Sequence, residues 1–303
     1  MNTSLSVAHR KIAFTPVVCL CLAATWLIWG SMYLAIKWAL DSFPPFYQMG
    51  TQFVIAGLLL GACSLWKGGR LPDRKQWIGA TVLGALLLGG GYGFTALAQT
   101  GVGSGLVVAF NAVVPSLIAV AELPYGVRPK RLQVVGIVLG LTGIVMLSQG
   151  QGFGASPLGL VSMCIACITW TLGSVWAVHG LPGGARIQLA DGFMGHASQM
   201  LVGGILLLLG AWLAGEHPVW PPDTRGLLSW IYLMVCGSLI SYTAYMVLLE
   251  RTTPGLAASY TYVNPVVAMT LGVALGDELV TGFEWTAVVV VLAGVVLLMW
   301  RRD

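Results

Sequence analysis

WIGATVLGALLLGGGYGFTALAQ, residues 77–99, decides the fold. It carries no charged side chain over a length that, coiled as an α-helix, crosses the ~30 Å hydrocarbon core of a bilayer. In lipid every backbone N–H and C=O needs a partner within the segment, so such a run is a helix. Arg74-Lys75 stand just before it, and Gly68-Gly69 and Pro72 break the chain upstream. Reading outward gives nine more runs of similar kind: 14–36, 46–66, 103–123, 132–149, 157–179, 193–214, 226–249, 256–276 and 284–300. Turn residues separate them, among them Pro44-Pro45, Pro129, Gly150 to Gly154, Pro182-Gly183-Gly184, Pro221-Pro222 and Pro254-Gly255. The composition agrees: 57% of the 303 residues are hydrophobic and 9% are charged, where soluble domains are about a quarter charged. A water-soluble globule is excluded, and no connection is long enough to form a separate soluble domain.

The first run follows His9-Arg10-Lys11, as the core of a signal peptide would. It is longer than a typical signal core and nine runs follow it, so it reads as a retained first helix. With the N-terminus inside, thirteen of the fifteen basic residues fall on the cytoplasmic side, leaving Lys37 and Arg225 outside. Membrane orientation follows this Lys/Arg bias, so both termini are expected in the cytoplasm. The net charge of +4 therefore sets topology and is no nucleic-acid signature.

The two halves resemble each other. At an offset of 150, Tyr92 meets Tyr242, Gly105 meets Gly255, Pro115 meets Pro265 and Gly126 meets Gly276. Trp29-Gly30-Ser31 meets Leu172-Gly173-Ser174 at a slightly smaller offset. Five helices per half is an odd number, so the second half enters the membrane upside down. The expected fold is an all-α polytopic membrane protein of ten transmembrane helices in two inverted five-helix repeats, residues 1–150 and 151–303. Inverted repeats are a recurring design of secondary transporters, with the binding site near the midplane between them.

Several pieces of this pattern carry a resemblance to a known family. They are Trp29-Gly30-Ser31-Met32-Tyr33 with Pro44-Pro45 downstream, Phe53 to Gly57, and Gly136 to Gly143. In the second half they are Ala257-Ala258-Ser259-Tyr260, Tyr262-Val263-Asn264-Pro265 and Gly276-Asp277-Glu278. The chain resembles the EamA-type permeases of the drug/metabolite transporter superfamily along nearly its whole length, and the order of the pieces is similar to that of the YedA-type inner-membrane members. The first-half counterpart of Gly276-Asp277-Glu278 departs from the pattern: it reads Gly126-Val127-Arg128, without the usual acid. The resemblance implies export of small metabolites from the bacterial cytoplasm across the inner membrane. It also implies a central cavity between helices one, three, four, six, eight and nine. It implies no particular substrate.

Helical spacing selects the candidate lining. Trp26, Trp29, Tyr33 and Lys37 share one face of the first helix. Tyr92, Thr95 and Gln99 share a face of the third, and Ser238, Tyr242 and Tyr245 one of the eighth. Ser104 and Asn111 lie together on the fourth, Tyr260 and Asn264 on the ninth. Polar side chains are costly against lipid, so these faces turn inward. The substrate-binding candidates are Trp26, Trp29, Tyr33, Tyr92, Asn111, Tyr242, Tyr245, Tyr260 and Asn264. A structural role competes: Asn111 and Asn264 precede Pro115 and Pro265 by four and one residues, and their amides can serve carbonyls that a proline deprives of a donor. The two prolines are expected to bend helices four and nine and to act as moving parts of gates. Trp66, Trp77, Trp220, Trp285 and Trp300 lie near span ends and read as interface anchors.

No acid falls near the middle of a span, and Glu122 is the deepest. Proton-coupled carriers commonly hold an intramembrane acid or histidine. Facilitated or exchange transport, or coupling by a group near a gate, therefore fits better. His196 is expected to be structural. An aromatic and amide-rich cavity suits a neutral or zwitterionic amphiphile, including amino acids. Cys164 and Cys167 form a C-x-x-C that a helix could place on one face, but no second ligand pair accompanies it, so no metal or cofactor is expected. The partners are then a small-molecule substrate and the lipid bilayer. Gly57-x-x-x-Gly61, Gly136-x-x-x-Gly140 and Gly272-x-x-x-Gly276 are expected to bring helices close within the chain, and they leave a homodimer open. The alternatives are a membrane-embedded channel or enzyme. Ala274 and Val102 spoil the nearest matches to intramembrane protease motifs.

Overall fold

The computed structural model describes residues 15–252 and 259–299, apart from the side chains of Tyr242, Thr243, Met246, Leu249, Glu250, Tyr262 and Met299. Arg10, Lys11, Pro254-Gly255, Ala257-Ala258, Trp300, Arg301 and Arg302 lie outside the described residues. The description is all helical. Eight helices are long and apolar enough to cross a membrane: α1 (Pro16–Ala39), α2 (Pro45–Trp66), α3 (Arg74–Ala98), α4 (Ser104–Tyr125), α5 (Arg131–Gln149), α6 (Pro157–His179), α7 (Phe193–Leu213) and α8 (Thr224–Ser241). Helix α8 runs on through Tyr242–Arg251. Two further apolar helices follow, α9 (Tyr260–Leu275) and α10 (Gly282–Met299), each shorter within the described residues. Leu58, Leu59, Val138, Val145, Leu209 and Val289 are exposed on the outer surface, as side chains that meet lipid should be. Trp66, Trp77, Trp220 and Trp285 are exposed too, in line with interface anchoring.

The helices alternate in direction, and their connections gather at two ends. At one end Lys37 pairs with Glu278 (3.6 Å) and Arg225 with Asp41 (2.8 Å). The Gly152 N–H donates to Glu284 there (2.8 Å). At the other end Lys67 stands over the Phe193 ring and Tyr125 donates to the Gly180 carbonyl. Helix α1 thus finishes at the end where α6 begins. Lys37 and Arg225 share one end, opposite Lys67.

Carboxylates hold the helix N-termini at the Lys37 end. A helix start leaves four N–H groups unpaired and carries partial positive charge. Glu216 accepts from the Phe46 and Tyr47 N–H groups in the first turn of α2 (3.3 and 2.8 Å). Glu278 accepts from Ser104 and Gly105 at the start of α4 (2.6 and 3.1 Å). Asp223 caps α8 through the Gly226 N–H (2.9 Å) and takes the Ser42 hydroxyl. Those hydrogen bonds, the Ser42 one first, hold the Asp223 carboxyl below its ordinary range. Glu284 is 1% exposed and accepts from Thr281 N, Thr281 Oγ1 and Gly152 N, each at 2.8 Å. Glu284→Ala strands these three donors in the interior. It is expected to cost about 2–4 kcal/mol, read as a lower thermal midpoint in detergent, with Glu284→Gln recovering part of the loss.

Small residues set the closest helix contacts. Helix α2 lies along α7, and α5 along α10. A Cβ on Gly57 would come within 3.0 Å of the Ala197 carbonyl, and one on Gly136 within 2.6 Å of the Gly294 carbonyl. Gly272 does something else: its missing Cβ leaves room for the Glu278 carboxylate. The packing is conserved under exchange of halves. Helices α2 and α7, α4 and α9, and α5 and α10 pack as self-matching pairs, and α1 on α8 mirrors α6 on α3. Wide π-helical turns also recur at matching places, Gly84–Gly93 in α3 and Leu233–Ser241 in α8.

The prolines do not act alike. Helix α4 is interrupted at Ala112–Val113, just before Pro115, whose missing N–H leaves the Asn111 carbonyl without its usual donor. Helix α9 runs unbroken from Tyr260 to Leu275 with Pro265 inside it.

Candidate functional site

The widened turns lie within three of the helices that carry the sequence-selected faces, α1, α3 and α8. Helix α1 carries its own π-helical stretch, Ala24–Ile28, immediately before Trp29. A π-turn inserts an extra residue per turn, and such turns concentrate at functional sites. Trp29 packs edge-on against Tyr260, with centroids 4.7 Å apart, and against Tyr245 at 5.4 Å. Tyr245 and Tyr260 meet at 5.9 Å and close a triangle of three rings from α1, α8 and α9. A second group forms on the other side: Tyr92 of α3 contacts Phe53 of α2 at 5.3 Å and Trp170 of α6 at 5.4 Å. The α1–α8 and α3–α6 contacts correspond under exchange of halves. Trp29 of the first group and Tyr92 of the second pack against one buried cluster that includes Met32, Ala96 and Leu233, so the two groups face one centre.

Amides join the rings. Asn111 Nδ2 donates to the Tyr33 hydroxyl (3.4 Å), and the Cys167 thiol donates to Asn111 Oδ1 (3.5 Å), which ties α1, α4 and α6. Asn264 is buried, and with its amide orientation assigned from the surrounding acceptors the nitrogen donates to the carbonyls of Tyr260 (3.1 Å) and Trp26 (3.2 Å). The Trp26 indole donates to Ser259 Oγ (2.9 Å). Trp26, Trp29, Tyr33, Tyr92, Asn111, Tyr245, Tyr260 and Asn264 are thus all placed inward. Each keeps part of its surface exposed except Asn264. The side chain of Tyr242 lies outside the described residues.

Neither asparagine serves a carbonyl orphaned by proline. Asn111 spends its amide on Tyr33 and Cys167, and Asn264 clamps α9 to α1. The C-x-x-C pair divides: Cys164 is exposed and Cys167 is buried against Asn111, so the two do not share a face. Among the described residues no three His, Cys, Asp or Glu side chains group as metal ligands. Sequence reasoning missed Trp170 and Cys167. Cys167, Trp170 and Ser174 stand at i, i+3 and i+7 on α6, a signal of the same kind as the one on α1.

Rings offering faces and edges, phenol hydroxyls and carboxamides suit an uncharged or internally balanced amphiphile: apolar and π contacts hold its body and the amides orient it. Among the described residues no carboxylate belongs to the cluster.

An all-helical bundle with an aromatic and amide-lined centre, built from two matching sets of helices, is a polytopic membrane protein of carrier architecture. The chain belongs to the EamA-like transporter family, whose model matches residues 16–149 and again 157–300. It is 38% identical over 277 residues to the uncharacterized inner membrane transporter YedA of Escherichia coli (strain K12), covering 91% of this chain and 88% of YedA. It is 23% identical to a probable amino-acid metabolite efflux pump of the same strain, covering 91% of this chain and 94% of the pump. A crystal structure 21% identical in sequence shares the fold, with a TM-score of 0.62 over 93% of this chain and 96% of the other.

Proposed function

We propose that the protein is a secondary carrier of the bacterial inner membrane that exports small neutral or zwitterionic metabolites, amino acids or their analogues, by alternating access. The two units are residues 1–150 and 151–303, inverted with respect to each other, with both termini in the cytoplasm. The observation that carries this reading is the convergence of rings and amides from α1, α3, α4, α6, α8 and α9. The opposed directions of α1 and α6 support the inversion. The separation of Lys37 and Arg225 from Lys67 supports the orientation. The name of the YedA relative supports transport across the inner membrane, and that of the efflux pump supports export and the amino-acid class. Substrate is held near the midplane, and rocking of one unit against the other opens the site to each side in turn.

Saturable counterflow of a panel of amino acids and analogues in liposomes tests the carrier reading; unsaturable conductance refutes it. Tag mapping tests the topology, which fails if residues 150–156 and the carboxyl tail label from the same side. The gates are assigned to the interruption before Pro115 in α4 and its proline-bearing counterpart in α9. The double replacement Pro115→Ala and Pro265→Ala restores two backbone donors and stiffens both helices. It is expected to slow counterflow about tenfold at unchanged substrate affinity. Unchanged rates remove the prolines from the gate.

A further inference from the structure

A cavity opens at the Lys37 end, away from the aromatic centre. It measures about 300 Å3 and is lined by Lys37, Gly103, Gly152, Asp277, Glu278 and Leu279, among others. That is the small end of the range for ligand pockets.

Its charges are unequally engaged. Glu278 is 8% exposed, and its carboxylate is occupied by the Ser104 and Gly105 N–H groups and by Lys37 Nζ at 3.6 Å. Lys37 keeps about a third of its side chain exposed (35%) and faces Glu278 as an ion pair at 3.6 Å, beyond hydrogen-bond reach, so its ammonium donors stay available. Asp277 makes no hydrogen bond or ion pair among the described residues and lies exposed in the cavity wall. It also holds a φ of +51°, alone among the described non-glycine residues in the left-handed region. The Glu278 N–H holds it by donating to the Gly272 carbonyl (3.1 Å), the bond that closes the end of α9. Ser104 Oγ, fully buried beside Glu278, has no partner. The lining thus holds an ammonium, a carboxylate already engaged by two N–H groups, and a carboxylate with no partner among the described residues.

We propose that this cavity is a second binding site, for zwitterions of α-amino-acid type, with the ligand carboxylate on Lys37 and its ammonium on Asp277. It rests on the carrier reading for its role: at the end assigned to the outside, it is a vestibule that substrate occupies on leaving the central site. Glu278 is the fixed element that positions Lys37, and Asp277 is the specificity-determining one.

The test uses the full chain in lipid nanodiscs with Leu279→Cys, since Leu279 is 95% exposed at the rim. The rate of labelling at position 279 by a charged maleimide is read by peptide mass spectrometry. The probes are L-leucine, isoamylamine and 4-methylvalerate, which share a side chain and carry both charges, the amine alone or the carboxylate alone. L-leucine is expected to slow labelling at least threefold, and each single-charge probe to need about tenfold more for half-protection. Asp277→Asn, which the left-handed backbone tolerates, is expected to raise the leucine requirement about tenfold; Lys37→Met does the same. Equal protection by a single-charge probe overturns the proposal, as does leucine protection that survives both variants. Protection lost in Asn264→Ala but kept in Asp277→Asn assigns the effect to the central site and also overturns it. Counterflow is measured separately on the same preparations. Its absence with vestibule protection intact defeats the carrier reading alone.

Discussion

Asn264→Ala is expected to reduce counterflow by at least tenfold while the protein still inserts and folds. Asn264 sits at the seam between α9 and α1, and its amide donates to one carbonyl on each helix. Interhelical bonds of this kind contribute about 0.5–2 kcal/mol in membranes, so the fold survives their loss. Transport depends on more than that energy. The clamp fixes the register of Tyr260 against Trp29, and thereby one side of the ring triangle. With Ala the rings lose their alignment, and affinity and rate fall together. Asn264→Asp sharpens the test. It keeps the shape but sets a buried carboxyl against two carbonyl oxygens, so it is expected to abolish transport and to lower the thermal midpoint as well. Counterflow equal to the parent in Asn264→Ala removes the best-connected residue from the site.

Gly294→Leu is expected to give the largest loss of stability. A Cβ at Gly294 would stand 2.5 Å from the Gly140 nitrogen and 2.7 Å from the Gly136 carbonyl. These are backbone atoms of α5, so no rotamer change relieves the clash, and the helices must separate. Overpacking of this kind costs about 3 kcal/mol or more, a drop on the order of 5–10 °C in thermal midpoint for a chain of this size. Gly294→Ala shows the same sign at smaller size. Gly210→Ala is the control: its Cβ meets only the Phe46 ring, at 3.9 Å. There the gain in helix propensity, up to about 1 kcal/mol, is unopposed, so the midpoint holds or rises. Equal behaviour at Gly294 and Gly210 would mean that α5 and α10 do not pack through their glycines.

Much of the centre was legible beforehand, and the reason is local. Trp26, Trp29 and Tyr33 lie at i, i+3 and i+7, so any helix places them on one side whatever it packs against. Lipid excludes that side from the outer surface. The same reasoning placed Tyr92, Asn111, Tyr245, Tyr260 and Asn264 inward. It failed for Trp170 only because the α6 face was not read for the same period. It left the placement of Cys164 and Cys167 open, since residues three apart straddle the boundary of a helix face as easily as they share it.

By itself the sequence determined the spans, their alternation and the inward faces. Hydrophobicity, charge bias and helical period are properties of neighbouring residues, and the bilayer converts them directly into structure. Only the tertiary structure decided where the acids go. Glu278 reaches the start of α4, more than 170 residues earlier in the chain, and Glu216 reaches the start of α2, about 170 residues before it. It likewise decided that α4 breaks at its proline while α9 runs on, and that Asp277 is left with an unengaged carboxylate. Such outcomes depend on which distant backbone offers free donors at an end of the bundle, and no local pattern along the chain encodes that pairing.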